Sequence, residues 1–128
     1  MPPFVAQRFH GDFAFEDEQI FSYCTFTQVL AQGAWLSDSL FVNCTLHEVN
    51  VYWCQAFRAC FVNCRFSACD LRGNFDAARF IDCHFTDCQV GDNNLGGTTE
   101  WEGAIQVNCS VNGDPLPITT KGPPGSPT

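Results

Sequence analysis

Hydrophobic side chains recur along this chain neither at every second residue nor at helical intervals, but at every fifth. Read from Gln19, the third residue of successive five-residue units is Phe21, Phe26, Ala31, Leu36, Phe41, Leu46, Val51, Ala56, Phe61, Phe66 and Leu71. After one dropped residue near Arg72 it resumes as Phe75, Phe80, Phe85, Val90 and Leu95. All of these are apolar. The first residue of nearly every unit is small or modest in size, Gln19 being the exception. A helix repeats every 3.6 residues and a strand every 2, so neither carries this pattern. A path that turns after each unit does, burying one large and one small side chain each time, and four units close a turn of about twenty residues.

The longer period is visible independently. Phe41-Val42-Asn43-Cys44, Phe61-Val62-Asn63-Cys64 and Phe80-Ile81-Asp82-Cys83 recur at intervals of 20 and 19, the shorter one spanning the dropped residue, and Phe21-Ser22-Tyr23-Cys24 begins the series. Coils spaced like neighbouring strands, about 4.8 Å apart, would make four of them a rod about 20 Å tall. Its stability would accumulate repeat by repeat.

On these residues the chain resembles the pentapeptide-repeat family, whose unit is written Ala-Asp/Asn-Leu/Phe-x-x. Ala78-Arg79-Phe80-Ile81-Asp82 and Asn93-Asn94-Leu95-Gly96-Gly97 approach that form, and many other units lead with Cys in place of Ala. The resemblance covers residues 19–97. It implies an all-β fold, a right-handed quadrilateral parallel β-helix of about four to five coils. Residues 1–18 are expected to cap it, Phe4, Phe9, Phe13 and Phe15 plugging the bottom coil, because an open solenoid end exposes core and unpaired backbone. Residues 98–112, with Trp101, are expected either to add a partial coil or to fold back as a second cap. Val107-Asn108-Cys109 echoes Val62-Asn63-Cys64 out of phase, which predicts an insertion around Gly96-Gly97-Thr98-Thr99. Residues 113–128 are rich in Pro and Gly and read as a flexible tail.

Nine cysteines in 128 residues invite a disulfide or metal reading. Seven of them, Cys24, Cys44, Cys54, Cys64, Cys69, Cys83 and Cys88, fall at the small inward position, where a free thiol packs as a slightly enlarged alanine. Parallel side chains on stacked coils do not offer disulfide geometry. Nor does a straight column converge four ligands on a zinc ion. Cys60 lies at an outward position and is the candidate reactive thiol, and Cys109 lies beyond the clear repeat.

Two outward patches break the polar surface. Ile20, Leu40 and Cys60 run beside Val42, Val62 and Ile81 on one face, and Trp35, Tyr52, Trp53 and Phe57 neighbour one another on two others. Exposed apolar rows mark contacts, and aromatics are favoured at binding hot spots. A terminal arm of the same chain, a second copy in a homodimer and a foreign protein are all candidate occupants.

The net charge of −8 argues against direct nucleic-acid or anionic-membrane binding. The repeat segment is itself only mildly acidic, with seven acids against Arg58, Arg65, Arg72 and Arg79. No apolar run is long enough for a membrane span, and the N-terminus lacks the features of a secretory signal, so a cytoplasmic protein is expected, with export by a signal-less route still open. His47 and His84 share a face but sit two coils apart, about 10 Å, and do not form one acid–base site. No enzyme activity and no cofactor are expected. The resemblance implies a protein-interaction module or scaffold, in the Cys/Phe-rich style of modules associated with bacterial secretion-system effectors. The alternative it implies is a DNA mimic that binds DNA gyrase and shields it from quinolones, because an acidic rod can occupy a basic DNA groove.

Overall fold

In the computed structural model, which describes residues 3–90 and 101–114, the five-residue units become the sides of a four-sided coil. The strands are β1 Phe4–Val5, β2 Arg8–Asp12, β3 Ile20–Ser22, β4 Thr25–Leu30, β5 Leu40–Val42, β6 Thr45–His47, β7 Cys54–Gln55, β8 Cys60–Val62, β9 Arg65–Ser67, β10 Gly73–Asn74, β11 Arg79–Ile81, β12 His84–Thr86, β13 Ile105–Val107 and β14 Ser110–Val111. All pairing between them is parallel. The first side is the sheet β1-β3-β5-β8-β11-β13 and the second is β2-β4-β6-β9-β12-β14. The third side is held by single bridges linking Leu30, Asn50, Asp70 and Gln89, and the fourth by Trp35 on Gln55 and by β7 on β10.

Nearly every corner is a residue in the left-handed conformation at the end of a unit, the shortened unit that ends at Arg72 being the exception. Between the first and second sides these are Ala6, Tyr23, Asn43, Asn63, Asp82 and Asn108, with φ between 52° and 57°. L-residues disfavour that region, and Asn and Asp tolerate it better than most. Backbone geometry therefore places much of the Asn and Asp at unit ends. Amide ladders add to it, Asn63 Nδ2 donating to Asn43 Oδ1 and Asn108 Nδ2 to Asp82 Oδ1.

The interior is filled by columns of like residues. Phe4, Phe21, Phe41, Phe61 and Phe80 stack face to face at 4.8–5.1 Å between centroids, within 14° of parallel. A second column runs through Phe9, Phe26, Leu46, Phe66 and Phe85. Val51, Leu71 and Val90 line the third side, and Leu36, Ala56 and Phe75 the fourth. The five-residue period thus becomes stacked dispersion contacts at close-packed density.

Both ends join the stack. Residues 4–12, expected as a cap, pair as β1 and β2 with β3 and β4, offset by 17 and then 18 residues across an irregularity at His10/Gly11. Phe13 and Phe15 pack beneath them against Phe21 and Phe26. At the other end Trp101 stacks on Phe75 and β13 pairs with β11, so residues 101–111 form a coil rather than folding back. The offset there is 26 residues, against 19 for the preceding turn, and the extra length falls within residues 91–100. Leu95 and the insertion expected at 96–99 lie outside the described residues, as does the expected tail from 115 onward. The chain then reverses at Asn112-Gly113, with φ of 50° and 88°, and the outward N–H and C=O of Val111 bond Asp114 at 2.6 and 2.9 Å. This tight hairpin occupies the edge on which another coil would stack.

Candidate functional site

The cysteines form columns inside the coil. Cys24, Cys44, Cys64, Cys83 and Cys109 share one corner, and each thiol donates to the carbonyl of the stacked Phe one coil below: Phe4, Phe21, Phe41, Phe61 and Phe80, at 3.1–3.5 Å. Cys109, which periodicity leaves outside the repeat, is the last member. All nine cysteines are free. Burial pushes the Cys54 thiol up to about 12, and hydrogen bonding to Cys44 and Cys83, with burial, raises that of Cys64. Thiol nucleophiles need a thiolate, which Cys54 and Cys64 oppose, whereas a hydrogen bond with Cys64 lowers the Cys44 and Cys83 thiols and one with Cys69 lowers that of Cys88. Cys60, the expected reactive thiol, is half-buried, and burial raises its pKa despite the nearby Arg79. Among the described residues no group of three His, Cys, Asp or Glu could hold a metal ion.

The apolar row on the first side is longer than the sequence suggested. Ile20 is 45% exposed, and Leu40, Val42, Cys60, Val62 and Ile81 are half-buried among their neighbours. Val5 extends the row at one end, with Ile105 and Val107 at the other, all about half exposed. Ser22 and Arg79 are its polar interruptions. Neither residues 3–18 nor residues 101–114 lie over it, because both are committed to the coil ladders.

The aromatic residues wrap the corner between the third and fourth sides. Trp35, Trp53 and Phe57 are exposed at 58%, 52% and 39%, and Leu30 joins them. Tyr52 is held differently. The Arg72 guanidinium covers its ring at 4.7 Å and is itself bound by both carboxylate oxygens of Asp70. Arg58 lies over Phe57 at 4.9 Å and makes a bidentate pair with Asp38. Periodicity showed none of these arginine contacts, since it distinguishes inward from outward positions but not what an outward side chain covers.

The second side carries the histidines. His47 Nδ1 lies 2.7 Å from Ser67 Oγ, its Nε2 lies 3.3 Å from Glu48, and His84 Nδ1 lies 2.7 Å from Ser110 Oγ. His47 and His84 stand two coils apart in the same sheet, as their spacing predicts. The Ser67–His47–Glu48 set has the order of a hydrolytic triad but not its surroundings. It lies on an exposed flat sheet, and the neighbouring amides of Ala68 and Cys69 already donate, to Thr86 O and Cys88 Sγ, leaving neither as an oxyanion donor. A shallow depression of about 410 Å³ opens at the corner lined by Tyr23, Asn43, Cys44, Thr45, Asn63 and Arg65. It holds no paired nucleophile and base.

No protein-family model and no curated protein matches the chain in sequence. Solved structures do. A trypsin-treated form of QnrB1, a plasmid-mediated fluoroquinolone resistance protein, superposes with a TM-score of 0.59 at 18% identity, covering 91% of this chain and 79% of that one. Full-length QnrB1 aligns over 85% of this chain at 18% identity and a TM-score of 0.37, and this chain spans 48% of its length. With a five-residue period realised as four-sided parallel coils, the architecture is decided. This chain folds as a pentapeptide-repeat β-solenoid. At this identity the likeness to QnrB1 is one of fold, and the surfaces of the pentapeptide-repeat rod must be read from its own residues. Those surfaces are an apolar first side, a polar histidine-bearing second side and an aromatic corner diagonally across from the cysteine column. Among the described residues no helix is long and apolar enough to cross a membrane.

Proposed function

We propose that this solenoid is a non-enzymatic protein-binding rod whose partner is a DNA-gripping protein of the gyrase or topoisomerase class. The supporting observation is the fold shared with QnrB1, a fluoroquinolone resistance protein, over 91% of the chain. Charge agrees with it. The described residues carry twelve Asp and Glu against five Arg, and Arg58 and Arg72 are already paired with Asp38 and Asp70. A rigid rod with surplus carboxylates at its corners suits a positively charged groove. Binding to immobilised gyrase at low and high salt tests this. The expected result is measurable affinity at low salt that falls at least about tenfold at high salt, with protection of supercoiling against a fluoroquinolone. No binding at low salt would overturn it.

The exposed Trp35, Trp53 and Phe57 favour a second reading, a scaffold or adaptor that docks a protein through apolar contacts, such as a secretion-effector module. Partner capture that is insensitive to salt and lost on Trp53→Ala would support that reading over the first.

A further inference from the structure

The cysteines of one corner stand in single file through the rod, and we infer that two of them, Cys44 and Cys64, hold a two-coordinate soft metal ion of the copper(I) type between their sulfurs. This inference is independent of which protein the rod binds.

Register sets the two thiols one above the other. Val42 pairs with Val62 just before them and Thr45 with Arg65 just after, so Cys44 and Cys64 occupy matching places in adjacent coils. The Phe41 and Phe61 rings of the same two coils stack at 4.9 Å, which measures the rise from one coil to the next. A linear sulfur–metal–sulfur unit with bonds of about 2.3 Å, the length of a zinc–thiolate bond, spans about 4.6 Å. The coil rise therefore matches the span of such a unit. Both thiols are free and buried, and they donate only to backbone carbonyls, at 3.4–3.5 Å.

The same geometry selects the ion. Zinc needs four converging ligands, and among the described residues no group of three His, Cys, Asp or Glu could hold a metal. Calcium and magnesium take oxygen ligands. Copper(I) is soft, prefers thiolate, and its closed shell accepts two sulfurs in a line.

Within the column this pair has an entrance. Asn43 and Thr45 flank Cys44 in the chain, Asn63 and Arg65 flank Cys64, and all four line the depression of about 410 Å³ together with Cys44. The depression thus opens between these two coils. Arg65 also brings a charge. Loading breaks two S–H bonds, forms two sulfur–copper bonds and releases two protons to solvent, with no change of oxidation state. Two thiolates and one monovalent cation leave a single negative charge, which is costly in an apolar core without a counter-charge. Ion pairs among the described residues engage Arg58 and Arg72 but not Arg65.

Anaerobic titration of the reduced full chain with copper(I), against a chromogenic copper(I) chelator, tests the inference. One equivalent should bind more tightly than any further copper, and X-ray absorption of that complex should show two sulfur neighbours and no nitrogen or oxygen. The thermal unfolding midpoint should rise, because a ligand of the folded state stabilises it. Cys44→Ala and Cys64→Ala should each weaken binding by more than about 100-fold, beyond what losing a group that merely supports a ligand does. Alanine already fills the inward small position at Ala59 and Ala78, so these variants suit the coil, and circular dichroism checks it. Arg65→Gln should weaken binding about tenfold and Arg65→Lys much less. Cys24→Ala and Cys88→Ala should leave it unchanged. Copper held by three or more sulfurs overturns the proposal, as does wild-type affinity in Cys44→Ala. So does a lowered midpoint, which would mean that the metal takes the unfolded chain. An unchanged affinity in Arg65→Gln overturns its assignment as the counter-charge.

Discussion

Gly73 crosses Cys54 so closely that a Cβ on it would lie 2.6 Å from the Cys54 carbonyl oxygen and 2.8 Å from both its amide nitrogen and its sulfur. This is where the repeat loses a residue. The shortened corner after Arg72 draws β10 down onto β7, and only a glycine leaves room. Gly73→Ala should cost about 2–3 kcal/mol, read as a lower urea midpoint at unchanged slope. Adding Cys54→Ala should not restore it, because two of the three contacts are with backbone.

Phe41 stacks between Phe21 and Phe61 at 4.8 and 4.9 Å. Phe41→Ala should cost about 3–5 kcal/mol. Phe41→Leu should cost about 1–1.5 kcal/mol, since Leu46 already fills the corresponding place in the second column between Phe26 and Phe66. A solenoid coil touches only its neighbours. Hydrogen exchange should therefore show lost protection concentrated in β3, β5 and β8 and little change in β11 and β13.

Asn63 sits at φ 52° on the corner and donates its amide to Asn43. A β-branched residue is strained there, and Asn63→Val should destabilise by about 1–2 kcal/mol. Asn63→Gly relieves the strain while losing the amide bond, and should fall within about 0.5 kcal/mol of wild type. Equal losses in the two variants would place the corner's stability in the amide ladder instead of in the backbone conformation.

Cys54 is fully buried, and burial raises its thiol from the ordinary 9.0 to about 12. The folded state thus holds the proton more tightly than the unfolded chain does. Its contribution is fully present below about pH 9 and is lost as pH rises toward 12, on the order of 4 kcal/mol over that window. Urea midpoints measured from pH 8 to 11 should fall steadily in wild type and less steeply in Cys54→Ala. At pH 8 a thiol reagent should label Cys54 only on unfolding.

Periodicity carries much of this fold because, within a regular coil, distance along the chain encodes adjacency in space. Residues 20 apart are neighbours, so the phenylalanine columns, the inward cysteines and the apolar row of Leu40, Val42 and Val62 are all legible before any coordinates. Where the count breaks, that encoding fails. Phe4 meets Phe21 across 17 residues and Trp101 meets Phe75 across 26. What joins them is the burial of an aromatic on an open coil end and the pairing of exposed strand edges, which can be met at more than one loop length. The same holds for Cys109 completing its column and for Arg72 covering Tyr52. The sequence by itself determined the repeat, its inward residues and the composition of its faces, since these are local and periodic. Only the tertiary structure decided that residues 4–12 and 101–111 join the coil ladders and that neither segment lies over the first side, because those outcomes depend on contacts between segments whose spacing the repeat does not set.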